Sequence, residues 1–198
     1  MLLYDSPVSG NCYKVRLLLA HLGLAYERRS LDVVDRSNRR EVLGDLNPAL
    51  RIPTIVLDDG RPLAESNAIL TYFAAGTDYF PEDPYERARV MQWLFFEQYS
   101  HEPYVAVVRF WVSYSNDPPG RDVIEDRRRS GYAALDAMES HLRPRSFLVA
   151  ERFTIADMAL YAYTHVADEG GSDLTAYPAI GGWLERVADT PGHVPITA

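Results

Sequence analysis

The rhythm of the chain changes once, at residues 77–84, and that change limits the folds open to it. Before this point short extended runs alternate with helical ones. After it, every periodic segment has helical spacing. In the first part, "MLLY" is an apolar run, and Val15, Leu18, Leu19 and Leu22 recur at helical intervals. "YERRSLDVV" reads as a strand and "NRREVLGDL" as a short helix. "PTIVLDD", a turn at Gly60 and "RPLAE" read as a hairpin. "SNAILTYFAAG" closes the part as a helix with Gly76 just past its end. The order is β-α-β-α-β-β-α. A helix between the first two strands predicts a parallel pair, and the late hairpin adds an antiparallel edge.

"TDYFPEDP" has two prolines, two aspartates and no periodicity, so it reads as a linker. The long run 84–114 is one helix bent at Pro103 or two helices. "DPPG" at 117–120 is a break. "RDVIEDRRRSGYAALDAMESHL", "TIADMALYAYTHVADE" and "PAIGGWLERVADTPG" are further helices. "GG" at 170–171 reads as a helix stop. The expected domains are therefore an α/β domain over 1–76, a linker over 77–84 and an all-α domain over 85–198.

Composition narrows the function. Of the net charge of −8, none falls on residues 1–76, with nine basic and nine acidic side chains, and all of it on 77–198. Neither part has the basic face that nucleic acid requires. No apolar run reaches the roughly 20 residues of a membrane helix, and the first residues do not read as a signal peptide. A single cysteine forbids an internal disulfide and fits a reducing cytoplasm. Five histidines (21, 101, 141, 165 and 193) lack ligand spacing, so no metal site is expected. There is no nucleophile elbow and no phosphate-binding glycine loop.

The stretch "SPVSGNCYKVRLLLAHLG", residues 6–23, passes from a polar turn into a helix. Ser9-Gly10-Asn11-Cys12 has the outline of Cys-x-x-Cys with a hydroxyl in place of the first thiol. A helix N-terminus favours an anion. In thiol–disulfide chemistry that anion is the first cysteine's thiolate. A serine there cannot form a mixed disulfide, but it can donate a hydrogen bond to a thiolate brought by a substrate. Such a bond lowers the thiol's pKa. The plainer reading of Ser9 and Asn11 is that they cap the helix, and of Cys12 that it is a small buried hydrophobe.

Two further steps invite a peptide. Pro53 stands at the first residue of a strand, where Ile52 could offer its N–H and C=O to an extended ligand. Glu65-Ser66 opens the third helix. Ser66 is expected as its N-cap, and the same N–H groups could instead take a carboxylate while Glu65 holds an ammonium. Together the three places describe a short peptide with a central thiol.

At this point the chain resembles the glutathione S-transferase family over nearly its whole length. "SGNCYKVRLLLAHLGLAYE", "NPALRIPTIVLDDGRPLAESNAILTYFA", "FTIADMALYAY" and "YPAIGGWLERV" carry the resemblance. It implies a thioredoxin-like N-terminal domain followed by an all-helical one. It implies glutathione as co-substrate, a cis Ile52–Pro53 bond, Ile52's backbone on the cysteinyl part, and Glu65 and Ser66 on the γ-glutamyl end. Arg51 would approach the glycyl carboxylate. Ser9 would be the thiolate partner, with Asn11, then Tyr4 and Cys12, as alternatives. The family often has Gly where Leu50 stands, which bears on Arg51's approach.

The implied activity is conjugation of the glutathione thiolate to small hydrophobic electrophiles, a detoxification chemistry, by a cytoplasmic homodimer. Glutathione-dependent disulfide reduction, isomerisation of the maleylacetoacetate type and a non-catalytic interaction role stand as alternatives. From the aromatic run "FFEQYSHEPYVAVVRFW", Tyr99, His101, Tyr104 and Trp111 are expected to line the second-substrate pocket, against core packing or a dimer interface. In "FTIAD", Thr154 and Asp157 form a reciprocal N-terminal box worth about 1–2 kcal/mol of folding stability.

Overall fold

The computed structural model describes Met1–Ala198, and the chain divides into two compact units. The first comprises Met1–Ala75 together with Pro191–Ala198, and the second Gly76–Thr190.

In the first unit β1 (Leu2–Asp5), α1 (Gly10–His21), β2 (Glu27–Ser30), α2 (Arg39–Leu43), β3 (Thr54–Val56), β4 (Pro62–Ala64) and α3 (Ser66–Ala74) follow in that order. The sheet order is β2-β1-β3-β4, with β1 parallel to β2 and antiparallel to β3. The β3–β4 hairpin pairs Thr54 with Ala64 and Val56 with Pro62. Side chains alternate across the sheet. Leu3 and Ile55 therefore meet Val15 and Leu19 of α1 and Ile69 of α3 on one face. On the other, Tyr4 meets Leu31 and Leu43 of the α2 side, with Leu50 and Ile52 against them. The parallel pair and the hairpin edge are as the strand–helix alternation implies.

The second unit is helical: α4 (Pro84–Phe96), α5 (Glu102–Ser113), α6 (Arg121–Leu142), α7 (Ile155–Thr164) and α8 (Pro178–Ala188). A π-helical turn, Glu97–His101, separates α4 from α5. Pro103 does not bend one long helix. It lies in the first turn of α5, where its missing N–H leaves no ladder bond unmade. Every residue of α7 is buried. The expected box is present: Thr154 N donates to Asp157 Oδ2 at 2.9 Å, and Ala156 N donates to Thr154 Oγ1 at 3.3 Å. Asp157 Oδ1 accepts from Leu148 N and from Trp183 Nε1, each at 3.0 Å. Burial pushes this carboxyl up to about 6.

The last eight residues depart from the expected 85–198 domain, because polar groups of α1 hold them in the first unit. Tyr13 Oη donates to Val194 O at 2.7 Å and lies 3.1 Å from His193 Nε2. Arg16 donates to Ile196 O. Partners some 180 positions apart leave no local signal in the sequence.

Candidate functional site

Ser9 occupies the N-cap of α1, with extended φ and ψ of −81° and 119°, and its Oγ accepts from Cys12 N at 3.3 Å. A hydroxyl has two lone pairs and one proton. Accepting from the helix thus leaves the proton for another acceptor, and capping does not compete with donation to a thiolate. The turn itself is held by Ser9 N, which donates to Ser6 O at 3.2 Å.

α1 packs against α3, and their N-termini meet. Ser66 Oγ donates to Asn11 Oδ1 at 3.2 Å, joining two residues 55 apart in the chain. Ser66 is not the N-cap of α3. The helix begins at Ser66, and Glu65 takes the cap position with φ of +66°. The hairpin strand ending at Ala64 leaves a single residue to turn the chain into the helix, and Glu65 makes that turn in the left-handed region. The Glu65 side chain is exposed and makes no cap bond.

The Ile52–Pro53 bond is cis. Its loop is held by the buried Asn47, whose Nδ2 donates to Arg51 O at 3.0 Å and to Thr54 Oγ1 at 3.1 Å. Thr54 Oγ1 donates to Arg51 O at 2.8 Å. Pro53 is buried, Ile52 half-buried and the Arg51 side chain exposed. Ile52's own N–H and C=O enter none of the hydrogen bonds that close this loop. Leu50 has φ of +55°. That conformation costs a non-glycine residue about 1–3 kcal/mol, and it gives the physical reason a glycine suits this position.

The remaining thiolate-partner alternatives lie in the core. Tyr4 is buried in the Leu31–Leu43 cluster with the Arg29 guanidinium over its ring. Cys12 is fully buried, and burial, reinforced by the Asp5 charge, pushes its thiol up to about 12. A thiol so placed stays protonated at neutral pH.

A buried ionic network escaped sequence reading. Arg16, 1% exposed, reaches Asp5 Oδ1 at 2.5 Å, Ser6 O at 3.1 Å and Pro7 O at 3.4 Å. Arg28 Nε donates to Asp5 Oδ2 at 2.8 Å. One guanidinium thus ties β1, the turn before Ser9 and the C-terminal segment together. Only its separation from an acidic residue by 11 positions was visible beforehand, and that spacing signals nothing by itself. Lys14, the single lysine, is also buried, with Nζ donating to Asn67 Oδ1 of α3 at 3.2 Å.

The four aromatic positions of the helical unit do not form one group. His101 is fully buried, with Nε2 3.0 Å from Thr164 Oγ1 of α7. It is a core residue and lines no pocket. Tyr99 is 84% exposed, too open to the solvent to line an apolar site. Tyr104 and Trp111 are half-buried and share the Arg127 guanidinium, 5.5 and 5.4 Å from their ring centres. Residues 104 and 111 lie two helical turns apart on α5, so they face α6 together. No cluster of three or more His, Cys, Asp or Glu could hold a metal ion. No helix is long and apolar enough to cross a membrane.

Comparison with known proteins bears on this geometry. The family model described as "Glutathione S-transferase, N-terminal domain" matches residues 3–78, and the one described as "Glutathione S-transferase, C-terminal domain" matches residues 121–186. Glutathione S-transferase D7 of Anopheles gambiae is 32% identical over 96% of this chain and 88% of its own. The disulfide-bond oxidoreductase YfcG of Escherichia coli K12 is 28% identical over 96% of this chain and 90% of its own. The crystal structure of a glutathione S-transferase from Pseudomonas fluorescens Pf-5 superposes with a TM-score of 0.96 at 47% identity, covering 100% of this chain and 98% of the other.

Proposed function

The chain belongs to the glutathione S-transferase family, and we propose that it binds glutathione and conjugates the thiolate to small hydrophobic electrophiles. The observation that carries this reading is the junction of the α1 and α3 N-termini. Ser9 stands at one with a hydroxyl proton to give, and Ser66 at the other, joined through Asn11. A thiolate near Ser9 gains a hydrogen bond and the positive end of the α1 dipole, both of which favour the ionised form. The γ-glutamyl carboxylate goes to the N-terminus of α3 at Ser66, with Glu65 near the ammonium. The cysteinyl backbone pairs with Ile52 beside Pro53, and Arg51 serves the glycyl carboxylate.

In the reaction the sulfur lone pair forms a C–S bond with the electrophilic carbon. The leaving group departs with its electron pair, or an activated alkene takes up a proton. From the helical unit, Tyr104 and Trp111 serve the acceptor. The protein acts in the cytoplasm as a homodimer.

Ser9→Ala tests the reading. Loss of one donor to the sulfur raises the bound thiol's pKa by about 1–2 pH units, a loss of roughly 10- to 100-fold in thiolate at neutral pH. Turnover with an aryl halide should fall by that factor, with glutathione affinity changed less than about threefold. Wild-type turnover in the variant would remove Ser9 from the role.

A second reading keeps the ligand and changes the reaction to disulfide reduction. The similarity to YfcG favours it, as does a protein thiol held unreactive at Cys12, which leaves the sulfur chemistry to glutathione. Turnover of a mixed glutathione disulfide, set beside the aryl halide, separates the two.

A further inference from the structure

We propose that Ser66 is a lock on Asn11, opened by the amino-acid end of the thiol ligand. The inference rests on the glutathione reading above and adds to it a reason why the head group should control the sulfur.

Ser66 is 4% exposed and has one hydroxyl proton, given to Asn11 Oδ1 at 3.2 Å. That proton can serve one acceptor well at a time. Ser66 is also the first residue of α3, at the helix end that favours a carboxylate. An ionised carboxylate is the stronger acceptor, since charge-assisted hydrogen bonds are about twice as strong as neutral ones. A carboxylate arriving there therefore draws the Ser66 proton away from Asn11.

Asn11 lies in the first turn of α1, two residues after Ser9. While Ser66 holds its oxygen, the amide is fixed in one orientation. Once released, it can turn about its terminal torsion, which has a broad, roughly two-fold profile. It can then bring Nδ2–H to a thiolate beside Ser9. Ser9 and Asn11 then both donate to the sulfur. A thiol without the amino-acid head meets Ser9 alone, because Ser66 still holds Asn11. Ser66 acts on the sulfur only through Asn11 and is a positioning residue in this step. The discrimination appears in the ionisation of the bound thiol and not only in its affinity.

The test compares glutathione with cysteinylglycine, which lacks the γ-glutamyl group. The thiol pKa of each complex is read by ultraviolet thiolate absorbance at saturating ligand. kcat/KM for each thiol with an aryl halide supplies a measurement that needs no saturation. In the wild type, bound cysteinylglycine should titrate higher than bound glutathione. Ser66→Ala should lower the cysteinylglycine value by about one pH unit, a tenfold gain in thiolate. It should leave the glutathione value within a few tenths while weakening glutathione binding. In Ser66→Ala/Asn11→Ala the gain should vanish, and Ser66→Thr should restore the wild-type pattern. A merely structural role for Ser66 cannot raise thiolate with the poorer ligand.

The lock is overturned if Ser66→Ala leaves bound cysteinylglycine unchanged or raises its pKa, or if the gain persists without Asn11. Those outcomes leave the glutathione reading intact, provided the wild-type glutathione complex titrates well below a free thiol. A wild-type complex that titrates like free glutathione overturns the thiolate reading and the lock together.

Discussion

Thr154 allows a prediction worked from hydrogen bonds alone. The residue is fully buried, accepts from Ala156 N at 3.3 Å and donates to Asp157 Oδ2 at 3.1 Å. Thr154→Val keeps the shape and removes the hydroxyl. The Ala156 N–H is then buried without a partner, which with the lost cap costs about 2 kcal/mol. Thr154→Ser keeps the hydroxyl and removes a buried methyl, worth about 1 kcal/mol. Thr154→Ala removes both, about 2–3 kcal/mol. For a chain of 198 residues each kcal/mol moves Tm by roughly 2–4 °C. The expected losses in Tm are thus about 2–4 °C for Ser, 4–8 °C for Val and 5–10 °C for Ala. Thermal unfolding followed by far-ultraviolet circular dichroism reads them, with urea midpoints and slopes as a check on cooperativity. Thr154 carries no group assigned to the thiolate, so glutathione affinity below the transition should be unchanged in all three. If Val is no more costly than Ser, the box does not stabilise α7 through the hydroxyl. If affinity falls in step with Tm, its role is not confined to folding.

Two other expectations concern titrating groups. His21 and His193 are both held below the ordinary imidazole range, His21 by burial and by the neighbouring His193, and His193 by burial. The folded state therefore prefers them neutral. Their contribution to stability is full above the ordinary value of about 6.5 and is lost as pH falls through the lower folded values. Urea midpoints taken from pH 8 to pH 5 should decline, and the decline should be shallower in His193→Gln; an equal or steeper decline would refute the assignment. The Cys12 thiol, raised from 9.0 to about 12, should carry about a thousandfold less thiolate than an ordinary cysteine. Iodoacetamide at pH 8 should modify it, by intact mass, only after urea is added. Labelling of the native protein would place the thiol at an accessible surface.

Much of this protein was decided locally. Strand–helix alternation up to Gly76 implied the parallel β1–β2 pair and the hairpin, since period and turn chemistry act within a few residues. The bounds of α6 follow from the break at 117–120, and the α7 box lies within four consecutive residues, Thr154 to Asp157. The positions that suggest a thiol peptide were also legible, because helix starts and an X-Pro step are short motifs.

What tertiary structure decided are the pairings between distant residues. Ser66 looked like a cap and became a donor to Asn11, because α1 and α3 come together end to end. His101 looked like a pocket residue and became a core partner of Thr164, because a π turn rotates it inward. Asp5, Arg16 and Ile196 carry no shared pattern, yet a buried guanidinium must find acceptors wherever the fold brings them. Short-range periodicity and turn chemistry determine which elements form. Which polar groups satisfy one another depends on the packing of those elements, a property of the folded chain as a whole.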